Sequence, residues 1–136
     1  MREILFRGQT RRKGQKVWMD GTPVDSKWVE GYGVCMGKGD FSVIYAGDHV
    51  EKFPVYTDTV GQFTGLTDKN GKRIYEGDIV QGKDLLEKHL EVFGYIDHKN
   101  GSFVITGDFM THYRWLDYEV EVIGNIHDNP ELLEGE

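Results

Sequence analysis

The chain has 136 residues, of which 38% are apolar and 29% are charged, and its formal net charge at pH 7 is −7. This composition excludes a disordered chain, and no apolar run approaches the roughly 20 residues that a membrane-spanning helix needs. The negative charge disfavours a general nucleic-acid-binding protein, because such proteins contact phosphates through a basic face.

The amino-terminal segment does not have the pattern of a secretory signal. Its apolar run, residues 4–6, is shorter than the roughly 7–15 residues that a signal peptide contains. Cys35 is the sole cysteine, so no internal disulfide can form. Both observations favour a cytosolic protein. Because Cys35 lies in a β-like stretch without a basic neighbour, we expect its thiol to be buried and unreactive.

The first half of the chain predicts short strands joined by turns, because it is rich in glycine and in aromatic and β-branched residues. ILFRGQ near the amino terminus predicts a first strand. Residues 27–36 (KWVEGYGVCM) and 41–47 (FSVIYAG) predict two further strands, and the glycine-rich GKGD between them predicts that they form a hairpin. Valines and threonines after residue 51 favour another extended segment.

Residues 62–80 (QFTGLTDKNGKRIYEGDIV) combine acidic, amide and basic groups around Asn70-Gly71. A calcium-binding loop would place Gly71 sixth, but Leu66 would then be first and Gly77 twelfth, where oxygen ligands are required. The residues at these positions therefore argue against a calcium site.

The same residues fit a structural role. An Asn-Gly pair adopts positive φ at both central positions of a tight hairpin turn at low cost. Asp68 can accept a hydrogen bond from the backbone two residues further on, and Asp78 can cap the bend that directs Ile79 into the core. We therefore expect this motif to be part of the scaffold.

After the motif, five short strands are predicted, at residues 79–82, 91–96, 102–106, near 113–116 and at 118–126. Asn100-Gly101 marks the clearest hairpin. Alternation over residues 119–122 indicates a half-buried strand, with Val120 and Val122 on one face and Glu119 and Glu121 on the other, where we expect the two carboxylates to be solvated. Five short antiparallel strands suit a small curled barrel, because curling hides unpaired strand edges.

Two segments are candidates for helical turns. Residues 84–91 (DLLEKHLE) fit either a single helical turn or a loop that covers the core. Asn129 and Pro130 predict a capped terminal turn at residues 130–133, with its leucines on the sheet. The predicted fold class is mainly β, with an SH3-like small barrel in the C-terminal half, an N-terminal β extension and one or two short helices. We expect one domain, residues 1–136, with possible sub-modules at 1–61 and 62–136.

No arrangement of residues predicts catalysis. The histidines lack zinc-like spacing, the serines lack a nucleophile elbow, and no phosphate-binding GxxxxGK[ST] occurs. We therefore expect a protein that is not an enzyme and that holds no metal or cofactor.

Two short segments are candidates for contacts with a partner. Basic residues can contact phosphates, and exposed aromatics beside an arginine carry much of the energy of protein interfaces. The alternatives are a solvated turn for the basic segment and barrel core for the aromatic one. The residues are Arg11, Arg12 and Lys13 in the basic segment, and Tyr113, Arg114 and Trp115 in the aromatic segment.

Four segments in order along nearly the whole chain carry a resemblance to a known family. They are REILFRG, KWVEGYGV, VGQFTGLTDKNGKRIYEGDIV and YEVEVIGNIHDNPELL. In these segments the chain resembles the YopX family of phage and prophage proteins. The resemblance implies a mostly β fold, a phage or prophage origin and a setting in the cytoplasm of the bacterial host. It carries over no catalytic residue.

Together, these patterns favour a non-enzymatic phage accessory protein that binds a macromolecule and has no membrane partner. We expect that macromolecule to be an unidentified protein or a second copy of the chain, in a homo-oligomer. The alternative is a nucleic-acid-associated regulator that uses the small barrel and residues 11–13.

Overall fold

The structure is a computed structural model that describes residues 4–16, 21–46, 51–87, 90–107, 111–112 and 118–134. These residues form mainly antiparallel β-sheet, which confirms the prediction of a mainly β fold. Two short 3₁₀ helices occur among them, at Thr57–Thr59 and Pro130–Leu133. The part of the chain that is described contains no helix long and apolar enough to cross a membrane.

Twelve strands occur in the described residues. In chain order they are β1 (Phe6–Arg11), β2 (Lys27–Gly31), β3 (Gly33–Cys35), β4 (Phe41–Ala46), β5 (Glu51–Tyr56), β6 (Gly61–Thr67), β7 (Arg73–Tyr75), β8 (Asp78–Asp84), β9 (Glu91–Lys99), β10 (Ser102–Thr106), β11 (Thr111–His112) and β12 (Tyr118–Asn125). They form sheets with the orders β2-β1-β6-β7, β3-β4-β5 and β11-β10-β9-β8-β12. The chain divides into two compact units, Met1–Phe63 and Thr64–Glu136.

In the first unit, the strand predicted over residues 27–36 is interrupted at Tyr32. Its first part, β2, pairs with β1, and its second part, β3, pairs with β4. Gly31 packs so closely on the carbonyl of Tyr45 that an added Cβ would overlap it. The predicted hairpin therefore exists only between β3 and β4, because the chain changes sheets at the break.

The prediction of a buried thiol at Cys35 is wrong, since this side chain is exposed. Cys35 is the last residue of β3, a three-residue strand at the edge of its sheet. In a strand of only three residues, side-chain alternation does not determine whether the last side chain is buried. The buried core of the first unit is instead formed by residues such as Leu5, Ile44 and Val55.

In the second unit, the curled five-stranded sheet has one apolar and one polar face. The apolar face is closed by Ile74 of β7 and Leu66 of β6. The buried side chains on the sheet are those of Val80, Val92, Ile96, Ile105 and Val120. Four of the five predicted strands are observed here, and the one expected near residues 113–116 lies outside the described residues.

The connection after β8 does not form the predicted helical turn in its described part. The Asp84 carboxylate accepts hydrogen bonds from the backbone N–H groups of Leu86 and Glu87, both at 2.8 Å, and this turn ends the strand. Leu85, Leu86 and Leu90 are exposed, so these leucines do not cover the core either.

The predicted terminal helical turn is present as the 3₁₀ helix Pro130–Leu133, with Leu132 and Leu133 partly buried. Asn129 does not cap it with its side chain. The Asn129 Oδ1 atom instead accepts a hydrogen bond from the backbone N–H of Asn125 at 3.2 Å, on the side of β12.

Candidate functional site

The motif at residues 62–80 builds a turn between β6 and β7 that lies against β12. The Asp68 N–H donates to the Lys72 carbonyl at 2.8 Å, and the Gly71 N–H donates to the Asp68 carbonyl at 3.0 Å. This is a three-residue loop in which Gly71 has φ 84°. The prediction of positive φ at Asn70 is wrong, because among the described residues other than glycine only Asn100 has one.

The carboxylate of Asp68 joins this turn by hydrogen bonds to β12, which is distant in the sequence. Its Oδ1 atom accepts hydrogen bonds from the N–H groups of Asn70 (2.8 Å) and Lys72 (2.9 Å). Its Oδ2 atom accepts one from the N–H of Val122 (3.0 Å), and the Lys69 N–H donates to the Val120 carbonyl (3.0 Å). The turn therefore satisfies backbone groups along the outer edge of β12, where a further strand would otherwise pair.

The hydrogen bonds also set the charge state of Asp68. Burial of its carboxyl group disfavours the charged form, but the hydrogen bonds from Val122, Lys72 and Asn70, together with the Lys72 ammonium, outweigh burial. The pKa of Asp68 is therefore lowered from its ordinary value of 3.8. The fold therefore favours the anionic form of this side chain.

Asp78 has a similar structural role. It is buried, and its Oδ2 atom accepts a hydrogen bond from the Tyr75 N–H at 2.8 Å, which fixes the bend between β7 and β8. A cavity of about 310 Å³ lies beside Asp68, between Leu66 and Tyr118, but both carboxylate oxygens of Asp68 already accept backbone hydrogen bonds. Among the described residues, no group of three or more His, Cys, Asp or Glu side chains is arranged to hold a metal ion.

The basic segment predicted as a contact surface is exposed at the end of β1. Arg11, Arg12 and Lys13 are all exposed. The Arg12 guanidinium donates to the Asp58 carboxylate at 2.7 Å and lies 4.1 Å from the centroid of the Tyr56 ring. The charge of Arg12 is therefore partly neutralised within the protein itself.

The aromatic segment predicted as a second contact surface, Tyr113, Arg114 and Trp115, lies outside the described residues. The nearby residues that are described, β11 and the start of β12, belong to opposite edges of the five-stranded sheet. The role of these three residues stays a prediction.

A groove of about 640 Å³ crosses the polar face of the five-stranded sheet, over β9, β8 and β12. The strand register places its residues in two rows of cross-strand neighbours. The first row is Glu121, Gln81 and Phe93, and the second row is Glu119, Lys83 and Glu91. Lys69, from the turn that follows β6, lines the groove beside the first row.

The groove combines an exposed ring with a surplus of carboxylates. Phe93 is 42% exposed although it is the third residue of the nine-residue strand β9. Lys83 stands between Glu119 and Glu91, and Lys69 lies 3.7 Å from Glu121 with both side chains substantially exposed. Such an exposed and long ion pair contributes little stability. The arrangement favours binding, because an apolar surface and charges that a ligand can reach lie side by side.

Only part of this groove follows from sequence patterns. The alternation over residues 119–122 predicted that Glu119 and Glu121 point away from the core, into solvent. Phe93 carried no such signal, because it lies in residues 92–96 (VFGYI), where no charged side chain alternates with the apolar ones. Its exposure depends on which face of β9 meets the core, and that is set by pairing with β8.

A comparison with known protein families supports the resemblance for three of the four sequence segments, since REILFRG precedes the matched residues. The model of the family described as YopX protein matches residues 24–134, which is most of the chain. Among curated proteins, none matches the chain. The resemblance is thereby confirmed, and the chain belongs to the YopX protein family.

Proposed function

We propose that this YopX-family chain is a non-enzymatic accessory protein that binds another macromolecule through the groove over β8, β9 and β12. The observation that carries the proposal is Phe93, an exposed aromatic ring in a groove otherwise lined mainly by charged side chains. In this proposal the five-stranded sheet is an SH3-like barrel. The protein is phage- or prophage-encoded and acts in the cytoplasm of the host cell.

Two physical arguments support binding over catalysis at this groove. Aromatic side chains that become buried on association are frequent hot spots of interfaces, and charged residues around them form a rim that selects the partner. The two buried acids of the second unit among the described residues, Asp68 and Asp78, lie outside the groove and are engaged by backbone N–H groups. Their carboxylates serve the fold and are not poised for a substrate.

Affinity capture from infected or lysogenic cells tests this proposal. The baits are the wild-type protein, Phe93→Asp, and Met36→Asp as a control, since Met36 is also exposed but belongs to the first unit. We expect a stoichiometric partner that Met36→Asp retains and Phe93→Asp loses. Turnover of a nucleotide or nucleic acid by the purified protein, abolished by replacing one carboxylate or histidine, would contradict the proposal.

The second candidate is a nucleic-acid-associated regulator that uses Arg11, Arg12 and Lys13. It is supported by the exposure of these three consecutive basic residues. It predicts binding that weakens steeply with added salt and falls when all three become alanine, because each phosphate contact releases counterions. An affinity that does not change with salt would eliminate this candidate.

A further inference from the structure

We infer that the ligand of the groove is an extended, basic segment of another protein, with one apolar or aromatic side chain between its cations. This inference rests on the proposed function and adds the chemistry of the partner. It follows from the position of the ring, the arrangement of carboxylates and the charge of the second unit.

The ring of Phe93 defines where an apolar side chain would lie. Its cross-strand neighbour is Gln81, a neutral side chain, so the ring is not flanked directly by a charge on β8. Covering its exposed part removes apolar surface from water, and an aromatic partner adds a favourable ring contact. A ligand with no apolar group would leave this surface exposed to solvent.

The carboxylates define where cations would lie. Glu121 is in the same row as Phe93, while Glu119 and Glu91 are in the neighbouring row on either side of Lys83. The groove thus holds three carboxylates against the two ammonium groups of Lys69 and Lys83. An arginine of the ligand can replace Lys69 at Glu121, because a guanidinium binds a carboxylate through two parallel hydrogen bonds and an ammonium cannot.

The charge of the surrounding unit favours the same ligand. Residues 64–136 contain 15 of the 23 acidic residues of the chain but only 7 of its 16 basic residues. A unit with this excess of negative charge attracts a basic segment and repels the phosphates of a nucleic acid. The volume of about 640 Å³ suits a short segment or a few side chains, since ligand sites of roughly 300–1,000 Å³ accommodate small ligands.

Fluorescence anisotropy with short labelled peptides tests the inference. The probe is Gly-Ser-Arg-Lys-Trp-Lys-Arg-Ser-Gly, and the comparison peptides replace its tryptophan by serine or all of its basic residues by glutamate. We expect the wild-type protein to bind the probe about tenfold more tightly than the serine peptide, as for a hot-spot aromatic. The glutamate peptide should not bind measurably.

Variants of the protein locate the binding. Phe93→Ser and the double variant Glu119→Gln, Glu121→Gln should each weaken binding of the probe about tenfold. The matched control is Glu131→Gln, Glu134→Gln, which makes the same change in net charge at two exposed residues at the carboxy-terminal end. This control should change the affinity less than about twofold, because these exposed charges do not line the groove and are screened by salt. Circular dichroism of all variants verifies folding.

Four outcomes would overturn the inference. One is that the double variant Glu119→Gln, Glu121→Gln and the charge-matched control weaken binding of the probe equally, which would show general electrostatic attraction and no specific site. Another is a dimer of the wild-type chain that Phe93→Ser dissociates, with no peptide bound, which would make a second copy the occupant. The third is a captured partner that depends on Phe93 but binds through an acidic or nucleic-acid surface. The second and third outcomes leave the proposed function standing, whereas the fourth, capture of no Phe93-dependent partner, removes both.

Discussion

The two Asn-Gly steps of this chain look alike in sequence but differ in structure. Asn100-Gly101 is a two-residue turn between β9 and β10, with φ values of 52° and 81°, and a Cβ added at Gly101 would have no heavy atom of the protein within 4 Å. At Asn70-Gly71 only the glycine has a positive φ, and the loop is bound to β12 through Asp68.

The difference shows that the dipeptide reverses the chain but does not determine what the turn contacts. At residues 100–101, pairing of Lys99 with Ser102 completes the turn locally. At residues 70–71, Asp68 adds a contact to Val122 across 54 positions of sequence. The turn at residues 100–101 therefore only connects two strands, whereas the turn at residues 70–71 also binds β12 within the second unit.

The largest effect is expected for Asp68→Ala. Three backbone N–H groups lose a charged acceptor, so the free energy of unfolding should fall by about 3 kcal/mol. Urea denaturation measures it. The control is Asp58→Ala, which removes an exposed carboxylate and its ion pair with Arg12 and should cost less than about 1 kcal/mol. Equal losses of stability for the two variants would show that the hydrogen bonds of Asp68 do not stabilise the contact between the turn at residues 70–71 and β12.

An intermediate effect should separate the asparagines of the two turns. Asn100→Ala places alanine at a positive φ and should cost about 1 kcal/mol, whereas Asn70→Ala should cost less than about 0.5 kcal/mol. Thermal or urea unfolding of both variants makes the comparison. If Asn70→Ala proved the more costly substitution, the three-residue geometry of the first loop would be wrong.

The smallest effect is expected for Lys69→Ala. The backbone N–H of Lys69 donates a hydrogen bond to the Val120 carbonyl, and this hydrogen bond survives the substitution. The substitution removes only the exposed ion pair between the Lys69 side chain and Glu121. The free energy of unfolding should change by less than about 0.5 kcal/mol, and less still in high salt. A larger loss would mean that the side chain of Lys69, and not its backbone, joins the turn to β12.

Local patterns in the sequence were sufficient for part of this structure. The hairpin at Asn100-Gly101, the alternation along β12 and the backbone roles of Asp68 and Asp78 all follow from neighbours within a few residues. Turn geometry and side-chain alternation depend on residues close together in the sequence, so a local sequence pattern is enough to predict them.

The remaining features depend on contacts between distant residues. The split of residues 27–36 occurs where Gly31 packs on Tyr45, and Asp68 contacts Val122 because β12 lies beside the turn. The exposure of Phe93 likewise depends on the register between β8 and β9. Sequence patterns alone do not contain these pairings, so the groove was missed although two of its acids were predicted to face outward.

The most direct test of a structural role for the motif is the free energy of unfolding as a function of pH, measured for the wild-type protein and for Asp68→Asn. The folded protein lowers the pKa of Asp68 from 3.8, so this carboxylate stabilises the fold fully above that value. Its contribution should disappear as the pH falls through the lower pKa of the folded state. We expect the wild-type protein to be the more stable by about 2 kcal/mol near neutral pH and the two curves to converge in acid. Curves that stay parallel, or an Asp68→Asn protein as stable as the wild type at neutral pH, would contradict it.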